Sequence, residues 1–271
     1  MTVLARLTWP DAKEALARAQ LALLPVGSLE QHGPHLALDT DLAVAEALAG
    51  WLEHELAEAA VLCPAVPYGL SEHHLGFAGT LTLRPDTLGS LVLDVVESLA
   101  HWSVRRVLVV NGHGGNIDAL RLVSRRARRD LGSLVAALMW AQLAADEISA
   151  RVTSPSYGHA CEVETSVAMV LAPERVFRDR ISGPAGRRSA DPMTDPPGAC
   201  VDQAVWMDEW TSDGALGDPR QASGEFGEAV VDVANRRALE FAQRFASASL
   251  PSTAISRDTT PPLVRKHGGG A

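Results

Sequence analysis

Val104-Arg105-Arg106-Val107-Leu108-Val109-Val110-Asn111-Gly112-His113-Gly114-Gly115-Asn116 is a β-prone run that breaks off in a glycine-rich turn. The continuous apolar stretch Val107–Val110 predicts a strand buried on both faces, which is how strands of a parallel sheet read. The helical pattern that follows, Asn116–Leu131, places apolar residues at Ile117, Leu120 and Val123 opposite a basic face at Arg121, Arg125, Arg128 and Arg129. A strand that feeds a helix through a glycine turn is half of a βαβ unit.

Working outward, the same alternation repeats. Short apolar runs at Leu21–Val26, Val61–Val66 and Ser133–Met139 are expected strands, the first weakened by Pro25. Between them, Leu42–Ala60, with Asp41 as its expected N-cap, and Asp86–Trp102 read as helices, and helical periodicity returns at Gly224–Phe245. This order predicts an α/β fold, with a mostly parallel central sheet covered by helices on both faces. From Ile181 to Ala222 the pattern dissolves into Pro, Gly, Ser and Asp. Residues 183–222 are therefore expected to form an irregular lid or interface segment within one domain spanning 1–248, and 249–271 a disordered tail.

The bulk numbers exclude some functions. The chain has 271 residues, 46% of them hydrophobic, and a net charge of −9. Such an acid balance argues against nucleic acid or an anionic membrane as partner. No apolar run reaches the length of about 18 residues that a membrane span needs. Cys63, Cys161 and Cys200 are too few and too odd for a disulfide framework. With no signal-like segment at Met1–Trp9, a cytoplasmic location is expected.

Chemistry-bearing residues gather in three clusters. Gly27-Ser28-Leu29-Glu30-Gln31-His32-Gly33-Pro34-His35-Leu36-Ala37-Leu38-Asp39-Thr40-Asp41 follows the first expected strand, and open α/β sheets keep their sites at that end. Glu30 and His32 share a side only if the segment is extended. The Asn111–Asn116 turn presents His113 just past a buried strand; it lacks the spacing of a nucleotide-binding loop. His159-Ala160-Cys161-Glu162-Val163-Glu164-Thr165-Ser166 opens a helical stretch. There Glu162 and Glu164 diverge unless the helix starts near Glu162, and a carboxylate at a helix start can simply offset the dipole. A polar loop rich in Asp and His is common without an ion. Three such clusters together supply imidazoles and carboxylates with no thiolate set, which suits Zn²⁺, Mn²⁺ or Fe²⁺ in a catalytic site. Cys161 reads as a packing residue.

These three stretches, with Ser71-Glu72-His73-His74-Leu75-Gly76-Phe77-Ala78-Gly79-Thr80-Leu81-Thr82 as a fourth, resemble the motifs of the creatininase (creatinine amidohydrolase) family. The match runs from about Leu4 to Phe245. The resemblance implies a three-layer α/β/α sandwich, two divalent metal ions (Zn, Mn or Fe) per chain, a small-molecule amide substrate and a homohexamer. By position, Glu30 and His113 resemble ligands of one ion, His32 a ligand of the other and Asp41 the carboxylate between them. His159 resembles the catalytic histidine, and Glu164 the acid that completes the site. Ser71, His73 and Trp206 are candidates for substrate contacts.

One departure stands out. Creatininase carries a metal-binding Glu two residues after the histidine of the second motif, where this chain has Gly115. Glu30, Asp41 and Glu164 alone leave two dications under-neutralised, so Glu162, or else Asp39, is expected to supply a further carboxylate. The expected activity is hydrolysis of a C–N bond by a metal-activated water. Formamide deformylases and the peptidase that trims the mycofactocin precursor are family alternatives. A metal-anchored binding protein, or a non-hydrolytic enzyme acting on a sugar-like or nucleotide ligand, is the alternative of another class.

Overall fold

A computed structural model describes residues 2–154, 157–183 and 204–251. Four strands, β1 (Leu21–Val26), β2 (Ala60–Leu62), β3 (Arg106–Asn111) and β4 (Leu134–Met139), form one parallel sheet in the order β2-β1-β3-β4. Alternate strand residues feed two separate cores. Leu21, Leu23, Leu108, Val110 and Leu138 pack under α2 (Thr40–Leu56), α5 (Trp140–Leu143), α6 (Ala145–Arg151), α7 (Glu162–Leu171) and α9 (Gly224–Ala246). Ala22, Leu24, Val26, Val107, Val109 and Val135 pack under α1 (Trp9–Arg18), α3 (Pro85–His101) and α4 (Ile117–Arg126). The sheet is thus sandwiched, as the uninterrupted apolar strands require. Among the described residues no helix is long and apolar enough to cross a membrane.

Pro25 does not unseat β1. Its carbonyl accepts from Val66 N at 2.9 Å, so it faces the flank on which β2 has already ended at Leu62, and the missing N–H leaves no ladder position empty. The expected strand Val61–Val66 is shorter than its apolar run: Pro64 and Pro67 follow directly, and only an isolated bridge joins Val66 to Val26. The helix expected to reach Ala60 stops at Leu56, where Ala57 turns to φ +50°. Asp41 is not its N-cap. Asp39 holds that place without a side-chain cap bond, and Asp41 stands in the first turn.

The chain runs from β1 out to β2, then crosses back to β3. The β1–β3 boundary is therefore the topological switch point, where open α/β sheets leave a crevice outside the strand ends. Two glycines let the N-terminus of α2 close onto it. A Cβ on Gly27 would lie 2.4 Å from Leu42 Cα, and one on Gly112 would lie 2.0 Å from Asp41 O. In the segment expected as a lid, residues 184–203 lie outside the described residues. From 204 onward the chain forms α8 (Met207–Trp210) and a 3₁₀ turn at Pro219–Gln221. The expected tail lies, from residue 252, outside them as well.

Candidate functional site

The loop after β1 is pinned on both sides. Leu29 bridges Leu81, His32 bridges Leu36, and Glu30 N donates to Leu38 O at 3.0 Å. The segment is extended, so Glu30 and His32 face the same way. α2 brings Asp41 to them, and the turn after β3 brings His113. All four residues are at most 6% exposed.

The histidine tautomers can be read from their outer partners. His32 Nδ1 lies 3.2 Å from the backbone carbonyl of Glu30, and His113 Nε2 lies 2.8 Å from that of Leu70. A carbonyl only accepts, so each of those nitrogens carries the proton, and each ring turns its other nitrogen inward. His32 Nε2 is 3.1 Å from Asp41 Oδ1, and His113 Nδ1 is 3.1 Å from Asp41 Oδ2 and 3.3 Å from Glu30 Oε1. Asp41 thus stands between two imidazoles with one oxygen toward each. Its Oδ2 is buried and makes no aligned hydrogen bond.

Such a gathering of inward lone pairs suits a cation. A tetrahedral ion with bonds of about 2.0–2.2 Å has ligand–ligand edges of about 3.3–3.6 Å, close to the separations around His113 Nδ1. Two triads meet the spacing, Glu30–Asp41–His113 and Glu30–His32–His159, and they share Glu30. The carbonyls behind His32 and His113 are the outer partners that orient ligating imidazoles.

The buried groups shift one another's protonation. Burial disfavours charge on His32, but Asp41 outweighs it and the pKa rises to about 10. Burial likewise opposes charge on His113, yet Glu30 and Asp41 hold it protonated well above the usual range. Burial would raise Glu30 and Asp41; His113 pulls Glu30 far down, and His32 lowers Asp41. Burial, with His32 adding its charge, drops His159 to about 3. Burial raises Glu164 to about 7, with His32 opposing and Asp41 reinforcing.

The third motif splits. His159 comes in: its Nε2 donates to Gln31 O at 2.7 Å, and its Nδ1 lies 3.8 Å from both Glu30 Oε1 and Glu164 Oε2. Glu164 also accepts from Ala160 N at 2.5 Å, across a residue held at φ +46°. α7 does begin at Glu162, but Glu162 does not join the cluster. Its two oxygens accept from Thr153 N (2.7 Å), Thr153 Oγ1 (2.8 Å) and Ser154 N (2.8 Å). Asp39 is also engaged elsewhere, 3.0 Å from Arg175 Nη2. Neither residue expected to fill the place of the absent Glu reaches the site. Gly115 itself has a steric reason: a Cβ there would sit 2.3 Å from Leu70 O and 2.4 Å from His113 Nε2, in the hydrogen bond that orients His113.

Ser71 is fully buried beneath the site, hydrogen-bonded to Ser28 Oγ, which in turn donates to Glu30 Oε2 at 3.0 Å. His73 stacks on His113 with ring centroids 5.8 Å apart, and Trp206 is 44% exposed at the start of α8. His74, in the fourth stretch, was not singled out from the sequence. The structure buries it to 2% exposure with Nε2 3.4 Å from Glu30 Oε1. The segment beyond Trp206 crosses the site, where Leu216 pairs with His159 as an isolated antiparallel bridge.

A large cavity lies elsewhere. An apolar groove of about 1120 Å³ runs between α3 and the β2 side of the sheet, lined by Leu16, Cys63, Val66, Leu91, Leu99 and Trp102 among others. It offers volume without a gathering of imidazoles, so the chemistry belongs to the polar crevice at the strand ends.

A parallel α/β sheet with buried His and carboxylate triads at its switch point defines the class: an α/β protein with a candidate metal site outside its strand ends. The creatinine amidohydrolase family model matches residues 5–242, and the chain belongs to the creatininase family. It is 36% identical over 231 residues to the mycofactocin precursor peptide peptidase of Mycobacterium tuberculosis, covering 79% of this chain and 83% of that one. It is 38% identical over 185 residues to the same-named protein of Mycobacterium ulcerans, a match spanning 65% of this chain and 64% of the relative's length. The creatinine amidohydrolase of Pseudomonas putida is 28% identical over 249 residues, covering 84% of this chain and 90% of that one. The solved structure "Creatininase Mn" superposes with a TM-score of 0.72 at 23% identity, covering 91% of this chain and 99% of that one, a likeness of fold.

Proposed function

We propose that this protein is a divalent-metal-dependent hydrolase of C–N bonds that holds two cations per chain. The carrying observation is Asp41, buried between His32 and His113 with an oxygen toward each and Oδ2 unsatisfied. In this reading Glu30, Asp41 and His113 hold one cation, and His32 and Asp41 hold the other, with Glu164 at its edge. Cations held by these residues would lower the pKa of a bound water and polarise the scissile carbonyl. The protein's own share is positioning and proton transfer. Leu70 O and Glu30 O fix the two ligating rings. Glu164 and His159 Nδ1, 3.8 Å apart, form the pair that carries a proton to the leaving nitrogen.

Among substrates, a peptide bond in a precursor peptide is favoured over creatinine. The relatives named as mycofactocin precursor peptide peptidases are 36–38% identical, against 28% for the creatinine amidohydrolase. Homohexameric assembly and a cytoplasmic location belong to the same reading. The exposed Trp9 and Trp102 offer apolar surface for the first, and the free buried thiols of Cys63 and Cys161 suit the second.

The test is elemental analysis of the purified protein with turnover assays on short peptides, formamides, lactams and creatinine, before and after chelation. Near two divalent ions per chain and chelator-sensitive peptide cleavage are expected. Full activity without metal would remove the mechanism, and bound metal with no turnover of any amide would favour a binding protein.

A further inference from the structure

Gln31 lies between two ligand positions and is itself 5% exposed. Its side-chain orientation is fixed by two neighbours of known polarity. Oε1 accepts from Gly33 N at 2.9 Å, and Nε2 donates to Gly214 O at 3.1 Å. A flipped amide would satisfy neither, so the group 2.7 Å from His74 Nδ1 is the Gln31 amino group. It can only donate, which leaves His74 Nδ1 as acceptor and places the His74 proton on Nε2, aimed at Glu30 Oε1 3.4 Å away. The backbone of the same residue treats a second ring differently. Gln31 O takes the Nε2 proton of His159, so that His159 turns a bare Nδ1 inward. The two rings lie 4.4 Å apart.

We infer that Gln31 is a positioning residue that gives the site two imidazoles of opposite polarity: His74 as a hydrogen-bond donor to Glu30, through its side chain, and His159 as an acceptor, through its backbone carbonyl. His74 then holds Glu30 by Oε1 while Ser28 holds it by Oε2, so that this shared carboxylate keeps one orientation toward the cation. The same amide ties the residue 214 segment to the site floor. A Cβ on Gly214 (φ +89°) would lie 1.8 Å from Gln31 Oε1, so the backbone there passes directly over the amide. The consequence for cation binding rests on the proposed metal site; the tautomers do not.

The experiment uses the full chain with ¹⁵N-labelled histidine and long-range ¹H–¹⁵N correlation spectra of the metal-free protein, comparing wild type, Gln31→Glu and Gln31→Met. In wild type, both His74 and His159 are expected as Nε2–H tautomers. Gln31→Glu replaces the donor by an acceptor and should move the His74 proton to Nδ1, while Gln31→Met should leave His74 with no single tautomer. His159 should stay unchanged in both, because its partner is a main-chain carbonyl, and its signal also reports a native fold. Titration with Mn²⁺ should show affinity lower by about 10–100-fold in both variants, the usual cost of losing an outer partner. An Nδ1–H His74 in wild type would overturn the inference, as would weakened Mn²⁺ binding with His74 unchanged, which would assign the effect to the Gly214 contact. Wild-type tautomers as stated in a protein that binds no Mn²⁺ would uphold Gln31's role and defeat the metal-site reading alone.

Discussion

Glu30 and Glu162 are both 1% exposed, both acidic, and both belong to motifs that sequence reasoning assigned to a metal site. Their surroundings differ in kind. Glu162 meets three protein donors, two of them backbone N–H groups that always carry a proton. Glu30 meets two serine- and histidine-borne donors and the inward nitrogen of His113, which can hold either a proton or a metal ion. Burial alone therefore does not mark a ligand. What marks it is a neighbour whose proton is exchangeable for a cation.

The sharpest break in that comparison comes from the residues around Glu30. Asp41→Asn and His113→Ala should each lose cation binding and activity together, measured by elemental analysis and turnover. His159→Ala should keep both cations and lose about 10²–10⁴-fold in rate, the usual contribution of a proton-transfer group. If His159→Ala empties the site as completely as Asp41→Asn, then His159 completes the Glu30–His32–His159 triad as a ligand.

A smaller effect tests the exchange of proton for ion. In the metal-free protein His32 titrates near 10 and His113 well above its ordinary range, so both inward nitrogens are protonated at neutral pH. A cation has to displace those protons. Its apparent affinity must then rise with pH, by about tenfold per unit for each proton released, and for His32 the rise ends near pH 10. Chelator competition between about pH 6 and 8 measures the slope. An affinity independent of pH would mean that the inward nitrogens are not the ligands.

How much of this was legible in the sequence follows from the same chemistry. Val107–Val110 and the glycine turn behind it give a buried parallel strand and the place of His113, because continuous apolarity and turn chemistry are local properties. Glu30, His32 and Asp41 were legible because they cluster just beyond a strand end. The direction of Glu162 was not. It depends on residues 153–154, whose N–H groups meet it only once the chain before α7 has folded back. His74 was not singled out because adjacent histidines look alike until the 3₁₀ turn at Glu72–His74 buries one of them. The shortness of β2 was readable from Pro64 and Pro67, and the apolar run masked it.

The smallest expected effect on cation binding is the most informative about Glu162. Gly115 has no side chain, and charge counting made Glu162 the natural replacement for the absent acid. Geometry gives it a different role. It accepts from the N–H groups of Thr153 and Ser154 at the first turn of α7, where a negative charge also offsets the helix dipole. In Glu162→Gln the amide oxygen can keep the N–H groups of Thr153 and Ser154, and the NH₂ meets the Thr153 hydroxyl, which turns to accept. What is lost is the negative charge at the first turn of α7, a cost of about 0.3–1 kcal/mol. The midpoint of denaturant unfolding should fall accordingly, while Mn²⁺ titration should give wild-type affinity at every cation. If instead one cation weakens markedly while folding stability is unchanged, Glu162 turns toward the metals when they bind, and the distinction drawn between the two glutamates fails.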